Sequence, residues 1–181
     1  MKPLLLTVFL LFNFVLAKSQ NEATQNLLNA SLHGDWQGMK AAILSGADVN
    51  ATDENGDTPL LMVTRLSYFK QTKFLVENGA NVNVANKKNI TPLHYAVEYN
   101  NVQMIKLLLD NQANTEAVDN INETPMHWAC WTGNIKAAKL LIKYGANPHP
   151  INNTGIKPID LAKRQEYYSL YNYLNKRRYY K

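Results

Sequence analysis

Four histidines and one cysteine are the side chains of this 181-residue chain best suited to metal binding or nucleophilic catalysis. A zinc site needs several such ligands at short spacing, and a catalytic cysteine needs a nearby base. His33 and His149 have no carboxylate or cysteine partners at ligand spacing, and Cys130 has no second cysteine. No nucleophile motif occurs either. The sequence therefore predicts no catalytic residue, no metal and no cofactor, and a protein that is not an enzyme.

The other two histidines, His94 and His127, lie in segments that recur along the chain. Each segment has a proline in second place, and successive prolines are 33 residues apart. The four segments are Thr58–Leu61, Thr91–His94, Thr124–His127 and Lys157–Asp160. A second marker recurs at the same step in Gly46–Asp48, Gly79–Asn81, Gln112–Asn114 and Gly145–Asn147. A period of this length is the signature of stacked structural repeats.

Each repeat contains the signals for two short helices joined by a turn. A threonine before proline starts the first helix, because its hydroxyl caps free N–H groups and proline has no N–H to leave unsatisfied. Small residues or asparagine at positions 34, 67, 100 and 133 mark the turn. The second helix has apolar residues at helical spacing, such as Val102, Ile105, Leu108 and Leu109. The glycine of the second marker then ends it, since a helix C-terminus favours a left-handed residue.

These segments resemble the ankyrin-repeat family, whose unit of about 33 residues carries a T-P-L-H-x-A signature. Thr91–Ala96 matches that signature at every fixed position, and Thr124–Ala129 departs from it only at Met126. The resemblance implies an all-α ankyrin-repeat solenoid of about five helix-turn-helix units with β-hairpin fingers. It also implies that His94 and His127 hydrogen-bond the Thr-Pro turns and tie adjacent units together. Cys130 stands where the family usually has alanine.

The expected units are an N-terminal cap over 20–52, regular units over 53–85, 86–118 and 119–151, and a C-terminal cap over 152–181. Stacking supplies the core, because a single unit cannot bury its own apolar face. Lys157 replaces the capping threonine in the last unit. In the unit 86–118, Gln112 replaces the glycine that ends the second helix. We expect each replacement to cost about 1 kcal/mol of stability.

Residues 1–19 are predicted to be a signal peptide that precedes the repeat domain. Lys2 comes before an apolar run that ends at Leu16 and is shorter than the roughly 20 residues of a membrane span. Ala17–Ser19 fits a small-x-small cleavage site, so Gln20 becomes the new N-terminus, and cleavage after Ala17 is the second choice. An uncleaved anchor or a mobile hydrophobic tail is the alternative to a signal. The expected location is periplasmic or secreted.

The formal net charge of +5 falls to +3 when Lys2 and Lys18 leave with the signal peptide. Much of the remaining excess lies in the tail Lys176–Lys181, so the body of the domain is nearly neutral. Binding to nucleic acid is therefore not predicted, and no membrane partner is expected after cleavage. A monomer that binds another protein is the leading interpretation. The alternative is a binder of anionic surfaces or nucleic acid through the basic tail.

In ankyrin proteins the finger tips and the last exposed positions of the inner helices line a concave groove that binds partners. Carried over by position, the apolar candidates are Leu66, Ile90, Tyr99, Ile121, Trp131 and Ile156, and the charged candidates are Arg65, Lys88, Glu98 and Glu123. We expect the three isoleucines to lie one above the next and to form an apolar strip with the other apolar candidates. The alternative is that some of these residues pack against neighbouring fingers.

The predicted function is that of an exported protein-binding module that recognises its partner through this concave face. A specific form of the prediction is an inhibitor or immunity-type partner of another exported protein. Because a scaffold alone does not determine function, the prediction depends on the groove residues and not on the fold.

Overall fold

Ten helices in five pairs make up the part of the chain that the computed structural model describes, residues 2–176. Numbered in chain order, the first helices of the pairs, called inner helices, are α1 (Lys2–His33), α3 (Pro59–Arg65), α5 (Pro92–Glu98), α7 (Pro125–Trp131) and α9 (Pro158–Arg164). The second, or outer, helices are α2 (Trp36–Leu44), α4 (Phe69–Glu77), α6 (Val102–Asp110), α8 (Ile135–Lys143) and α10 (Tyr168–Lys176). The predicted all-α repeat solenoid is confirmed.

Left-handed residues at two places in each repeat explain two of the sequence markers. Between the helices of a pair, residues 34, 67, 100, 133 and 166 all have positive φ, from 51° to 72°. After the outer helices, Gly46, Gly79, Gln112 and Gly145 also have positive φ. Gln112, at 65°, therefore occupies the left-handed position predicted for it, where glycine would be less strained.

The core is continuous along the stack because neighbouring inner helices pack against one another. α3 contacts α1 and α5, and α7 contacts α5 and α9. α6 shows how an outer helix contributes: Met104, Ile105, Leu108 and Leu109 are buried, whereas Val102 is half-buried. The apolar face predicted for this helix is confirmed, and its centre is Leu108.

The predicted β-hairpin fingers are not confirmed, since no residue from 2 to 176 is in a strand. Each finger is a tight turn closed by backbone hydrogen bonding, as between the N–H of Asp119 and the carbonyl of Glu123 at 3.0 Å. Successive fingers are joined by one backbone bond each, with N–H donors at 87, 120 and 153 and carbonyl acceptors at 55, 88 and 121. One bond for each pair of fingers is too few for the repeating ladder of a β-sheet.

The N-terminal cap differs from the other units because α1 is far longer than the other inner helices. It runs without a break from Lys2 to His33, so the predicted cleavage site lies within the helix. The hydroxyl of Thr24 accepts the backbone N–H of Asp48 at 3.0 Å and so joins α1 to the end of the first unit. Within the described residues, 2–176, no helix has the length and apolar character needed to span a membrane. The signal peptide and its cleavage stay predictions.

The C-terminal cap lacks the capping threonine, and a carboxylate makes the bond that the signature histidine makes in α5. Lys157 precedes α9, and its side chain has no acceptor with which to cap the helix. Oδ2 of Asp160, at the place of the signature histidine, accepts the backbone N–H of Lys157 at 3.1 Å. This bond satisfies the same N–H that histidine satisfies in the regular units. α10 then closes the stack with Leu170 and Leu174 buried against it.

Candidate functional site

A groove with a volume of about 480 Å³ lies between the finger tips and the ends of the inner helices. Five of the ten predicted binding residues line it, namely Glu98, Ile121, Glu123, Trp131 and Ile156. Lys88 and Ile90 line a smaller depression that shares Ile121 with the groove. The other three predicted residues, Arg65, Leu66 and Tyr99, line neither of these two cavities. The predicted surface is thus divided, and its centre lies in the C-terminal half of the stack.

The position of Trp131 follows from the end of α7, of which it is the last residue. The last residues of α3, α5 and α9 are at equivalent repeat positions and are Arg65, Glu98 and Arg164. The side chain of Trp131 is 57% exposed. Tryptophan is highly buried on average, so an indole held open to solvent is the most distinctive apolar feature of the groove.

The expectation that Ile90, Ile121 and Ile156 lie one above the next is wrong. Ile90 and Ile156 share a repeat position directly before the first helix, whereas Ile121 lies two positions earlier in its own finger. Ile121 is 53% exposed at the finger tip. Ile90 and Ile156 are half-buried, and Ile156 packs against the core. Ile156 is therefore closer to the alternative expectation, in which some candidate residues pack inward instead of facing a partner.

Arg65 is held by a carboxylate of its own unit. One of its guanidinium nitrogens donates to Oδ2 of Asp57 at 3.1 Å. Asp57 is buried and also accepts a hydrogen bond from Nδ2 of Asn86, in the next unit, at 2.8 Å. Arg65 therefore neutralises a buried charge, which a buried carboxylate requires. The sequence signal for this pairing was Asp57 itself, a carboxylate at a repeat position where two later units have isoleucine.

Hydrogen bonds within the chain orient two carboxylates of the groove wall. Oε1 of Glu123 accepts from Nδ2 of Asn152 at 2.9 Å. Oδ2 of Asp119 accepts from the indole N–H of Trp128 at 3.1 Å. Sequence reasoning missed Asp119 and Trp128 as groove residues. Trp128, at the variable position of the T-P-L-H-x-A signature, was the signal that could have identified both residues. A half-buried indole N–H requires an acceptor nearby, and Asp119 is that acceptor.

Glu98 differs from these two carboxylates because its oxygens have no partner in the described part of the chain. Its side chain makes no hydrogen bond or ion pair there. It is half-buried in the groove, and this burial raises the pKa of its carboxyl. A carboxylate that loses water without gaining a partner is destabilised, so Glu98 is the groove residue with most to gain from a ligand.

The signature histidines tie the units together as predicted. Nδ1 of His94 accepts the backbone N–H of Thr91 at 3.2 Å, so the ring proton lies on Nε2. Nε2 donates to the carbonyl of Glu123 in the next unit at 3.2 Å. His127 makes the same two bonds, to the N–H of Thr124 and the carbonyl of Ile156. Burial lowers the pKa of both rings, that of His94 to about 4.

Cys130 lies in the core, in surroundings that disfavour its thiolate. Its side chain is fully buried, and burial raises the pKa of the thiol to about 12. A reactive cysteine needs the opposite shift and access to solvent. Among residues 2–176 there is no group of three or more His, Cys, Asp or Glu side chains that could hold a metal ion.

One lysine position of the outer helices recurs in four repeats, and each of these lysines contacts another side chain of the protein. The recurring residues are Lys40, Lys73, Lys106 and Lys139. Two of these lysines pair with a carboxylate one helical turn further on, and the other two lie over an aromatic ring. The basic tail on which the anionic-surface alternative depends is Lys176–Lys181, of which residues 177–181 lie outside the described residues.

A family model described as "Ankyrin repeats (3 copies)" matches the chain over residues 17–119 and again over residues 69–152. Together the two matches cover well over half of the chain and include the inner helices α3, α5 and α7, whose ends approach or line the groove. They stop before α9, so Arg164 lies outside them. The chain matches no curated protein.

Proposed function

The chain belongs to the ankyrin-repeat family, and we propose that it binds a protein partner through the groove around Trp131. Ankyrin repeats are generally protein-protein interaction modules, and their fold is typically a binding scaffold without catalytic activity. The single observation that carries the proposal is the exposed indole of Trp131 at the centre of the groove. Tryptophan is one of the residues enriched at the energetic hot spots of protein interfaces.

The groove can bind tightly because its apolar groups are already in place. Trp131 is at a helix end, and Ile121 lies in a finger whose turn is closed by backbone hydrogen bonds. Covering these two side chains removes apolar surface from water, which stabilises a complex by about 25 cal/mol for each Å² buried. Little ordering entropy is lost on binding, since neither residue lies in a long loop.

The polar groups nearby favour binding over catalysis. Asp119 and Glu123 each accept a hydrogen bond from a side chain of this protein, and His94 donates to a backbone carbonyl of the groove wall. Each of these groups is therefore used to hold the groove in shape. A general base needs a free lone pair within reach of a substrate proton, and the arrangement offers no histidine in that state.

The finer part of the proposal is that the module is exported to the periplasm or the exterior. There it would hold or inhibit another exported protein, as an inhibitor or immunity-type partner does. The N-terminal sequence supports this proposal. Lys2, an apolar run and the small residues of Ala17–Ser19 follow one another as the charged region, apolar region and cleavage site of a signal peptide do. A fold with Cys130 buried and no disulfide to form is compatible with either redox compartment.

Replacing Trp131 with alanine should weaken partner binding by about 2 kcal/mol or more, which is about 30-fold in Kd. The partner is first captured from the native compartment with the wild-type protein, and its affinity for purified variants is then measured by calorimetry. Tyr168→Ala is the matched control, because Tyr168 is 61% exposed on α10 and does not line the groove. Equal affinities of the Trp131→Ala variant and the wild type would contradict the proposal.

Expression in the native host should yield a mature chain that begins at Gln20, or at Lys18 if cleavage follows Ala17. Intact-mass measurement of the purified protein distinguishes the two products from the full-length chain. Replacing Ala17 and Ser19 with bulky residues should block processing, because signal peptidase requires small side chains there. Full-length protein recovered from the cytoplasm in the wild type would rule out export by a cleaved signal.

A further inference from the structure

We propose that the occupant of the groove is a polypeptide segment that lays an arginine or lysine side chain across Trp131, with its charge at Glu98. The inference rests on the proposed function and narrows the class of partner. It follows from the charges that line the groove, from the hydrogen bonds those charges already make, and from the order of residues along the ends of the inner helices.

The groove is acidic, although the chain as a whole is basic. Its ionisable lining consists of three carboxylates, Glu98, Asp119 and Glu123, and one guanidinium, Arg164. The chain itself carries a formal net charge of +5. Complementary charge selects partners and orients them, so this local excess of negative charge favours a cationic group from the partner.

Glu98 is the carboxylate that lacks a partner. Asp119 receives the indole N–H of Trp128, and Glu123 receives the amide of Asn152. Glu98 receives no hydrogen bond from the described part of the chain, although it is half-buried. An incoming ammonium or guanidinium would restore the interactions that Glu98 loses with water, and hydrogen bonds to charged groups are the stronger kind.

Trp131 provides the second half of the cation site. Glu98 and Trp131 are the last residues of α5 and α7, which pack directly against each other. A cation over the face of an indole is attracted by the ring, and arginine also stacks on it with its planar group. The aliphatic stem of either basic side chain would cover apolar surface of Trp131 and Ile121 while its charge reaches Glu98.

The two arginines at equivalent positions indicate where the cation does not bind. Arg65 is paired with Asp57 and remains at the end of α3. Arg164 lines the far side of the groove, beyond Trp131. A basic side chain is therefore repelled from α9 and drawn toward α5.

The test uses random 12-residue peptides displayed on phage as the probe, and the target is the protein in the form in which its native host produces it. Clones that also bind the Trp131→Ala variant are discarded, and the remaining peptides are synthesised. We expect arginine or lysine next to an apolar residue to be enriched among them. Peptides that depend on Trp131 but lack a basic residue would overturn the inference, as would failure to select any peptide that depends on Trp131. The proposed function is judged separately, with the partner captured from the native compartment.

The affinities of the selected peptides then locate the charge. Glu98→Gln should weaken binding about tenfold, whereas Arg164→Gln, which removes the repelling charge from the same groove, should strengthen it. Changing the basic residue of the peptide to methionine should cost less affinity against the Glu98→Gln variant than against the wild type, because the interaction with Glu98 is already lost and only the one with Trp131 remains. Unfolding curves check that both variants keep the wild-type fold.

Two results would overturn the placement of the charge. One is equal affinity of the peptides for the wild type and the Glu98→Gln variant. The other is Trp131-dependent binding of a single-stranded 12-mer oligonucleotide, which would show that the groove accepts an anionic polymer. In the first case the proposed protein-binding function would stand and only the inferred chemistry of the partner would fail.

Discussion

Leu108→Ala is expected to lower the free energy of unfolding by about 2–5 kcal/mol. Leu108 is fully buried at the centre of the apolar face of α6, within the continuous core. Shortening its side chain loses the transfer free energy of three carbon atoms and leaves a cavity that its neighbours fill only in part. Because each unit is stable only through its interfaces, the loss also weakens the units on either side. Urea unfolding followed by circular dichroism measures the effect.

Leu44→Ala is the matched control, since it deletes the same atoms at the end of α2 from a side chain that is 88% exposed. Its unfolding midpoint should stay close to that of the wild type. Trp131→Ala should also unfold like the wild type, because an exposed residue contributes little to the core. If Trp131→Ala lowered stability as much as Leu108→Ala, Trp131 would be a core residue, and its assignment to the binding groove would fail.

Lowering the pH from 7 to 5 is expected to reduce the free energy of unfolding by about 2 kcal/mol through His94 alone. In the folded protein burial holds the pKa of His94 at about 4, whereas in the unfolded chain it returns to about 6.5. Between these two values the unfolded state binds a proton that the folded state does not bind. Stability is therefore present above about pH 6.5 and is lost as the pH falls toward 4. His127, whose pKa burial also lowers, adds to the loss.

The pH range separates the histidines from the carboxylates, most of which titrate nearer pH 4. The measurement is the urea midpoint at several pH values between 7 and 5. His94→Gln keeps a donor and an acceptor but does not titrate, so the slope against pH should become shallower in this variant even if its stability at pH 7 is lower. A wild-type midpoint that does not change over this range, or an unchanged slope in His94→Gln, would contradict the buried neutral histidine.

Much of the fold was predictable because the signals are local. The threonine-proline helix starts, the left-handed turn positions and the helix-ending glycines each depend on a few adjacent residues, and the structure has them at the predicted places. The histidine ties were predictable through the family resemblance, and their geometry agrees. The β-hairpin form of the fingers is not confirmed: each finger is a turn closed by a bond such as that from the N–H of Asp119 to the carbonyl of Glu123, and no described residue is in a strand.

The groove was predictable only in part. Glu98, Trp131 and Ile121 line it as expected, since the repeat position alone puts them near the concave face. Arg65 was expected there too, but a carboxylate eight residues earlier, Asp57, holds its guanidinium. Trp128 was not expected, because its exposure depends on how the next unit leaves space beside it. Repeat position indicates which residues can face the groove, but their partners decide which ones do.

The sequence by itself determined the number of units, the ends of the helices and the family, because the free energies behind these features act over one or two helical turns. Only the tertiary structure decided that Asp119 and Glu123 are engaged by Trp128 and Asn152 while Glu98 is left without a partner. That difference arises from contacts between units, such as the hydrogen bond between Glu123 and Asn152, which are 29 residues apart in the sequence. A single sequence records which side chains exist, and stacking alone determines which of them meet.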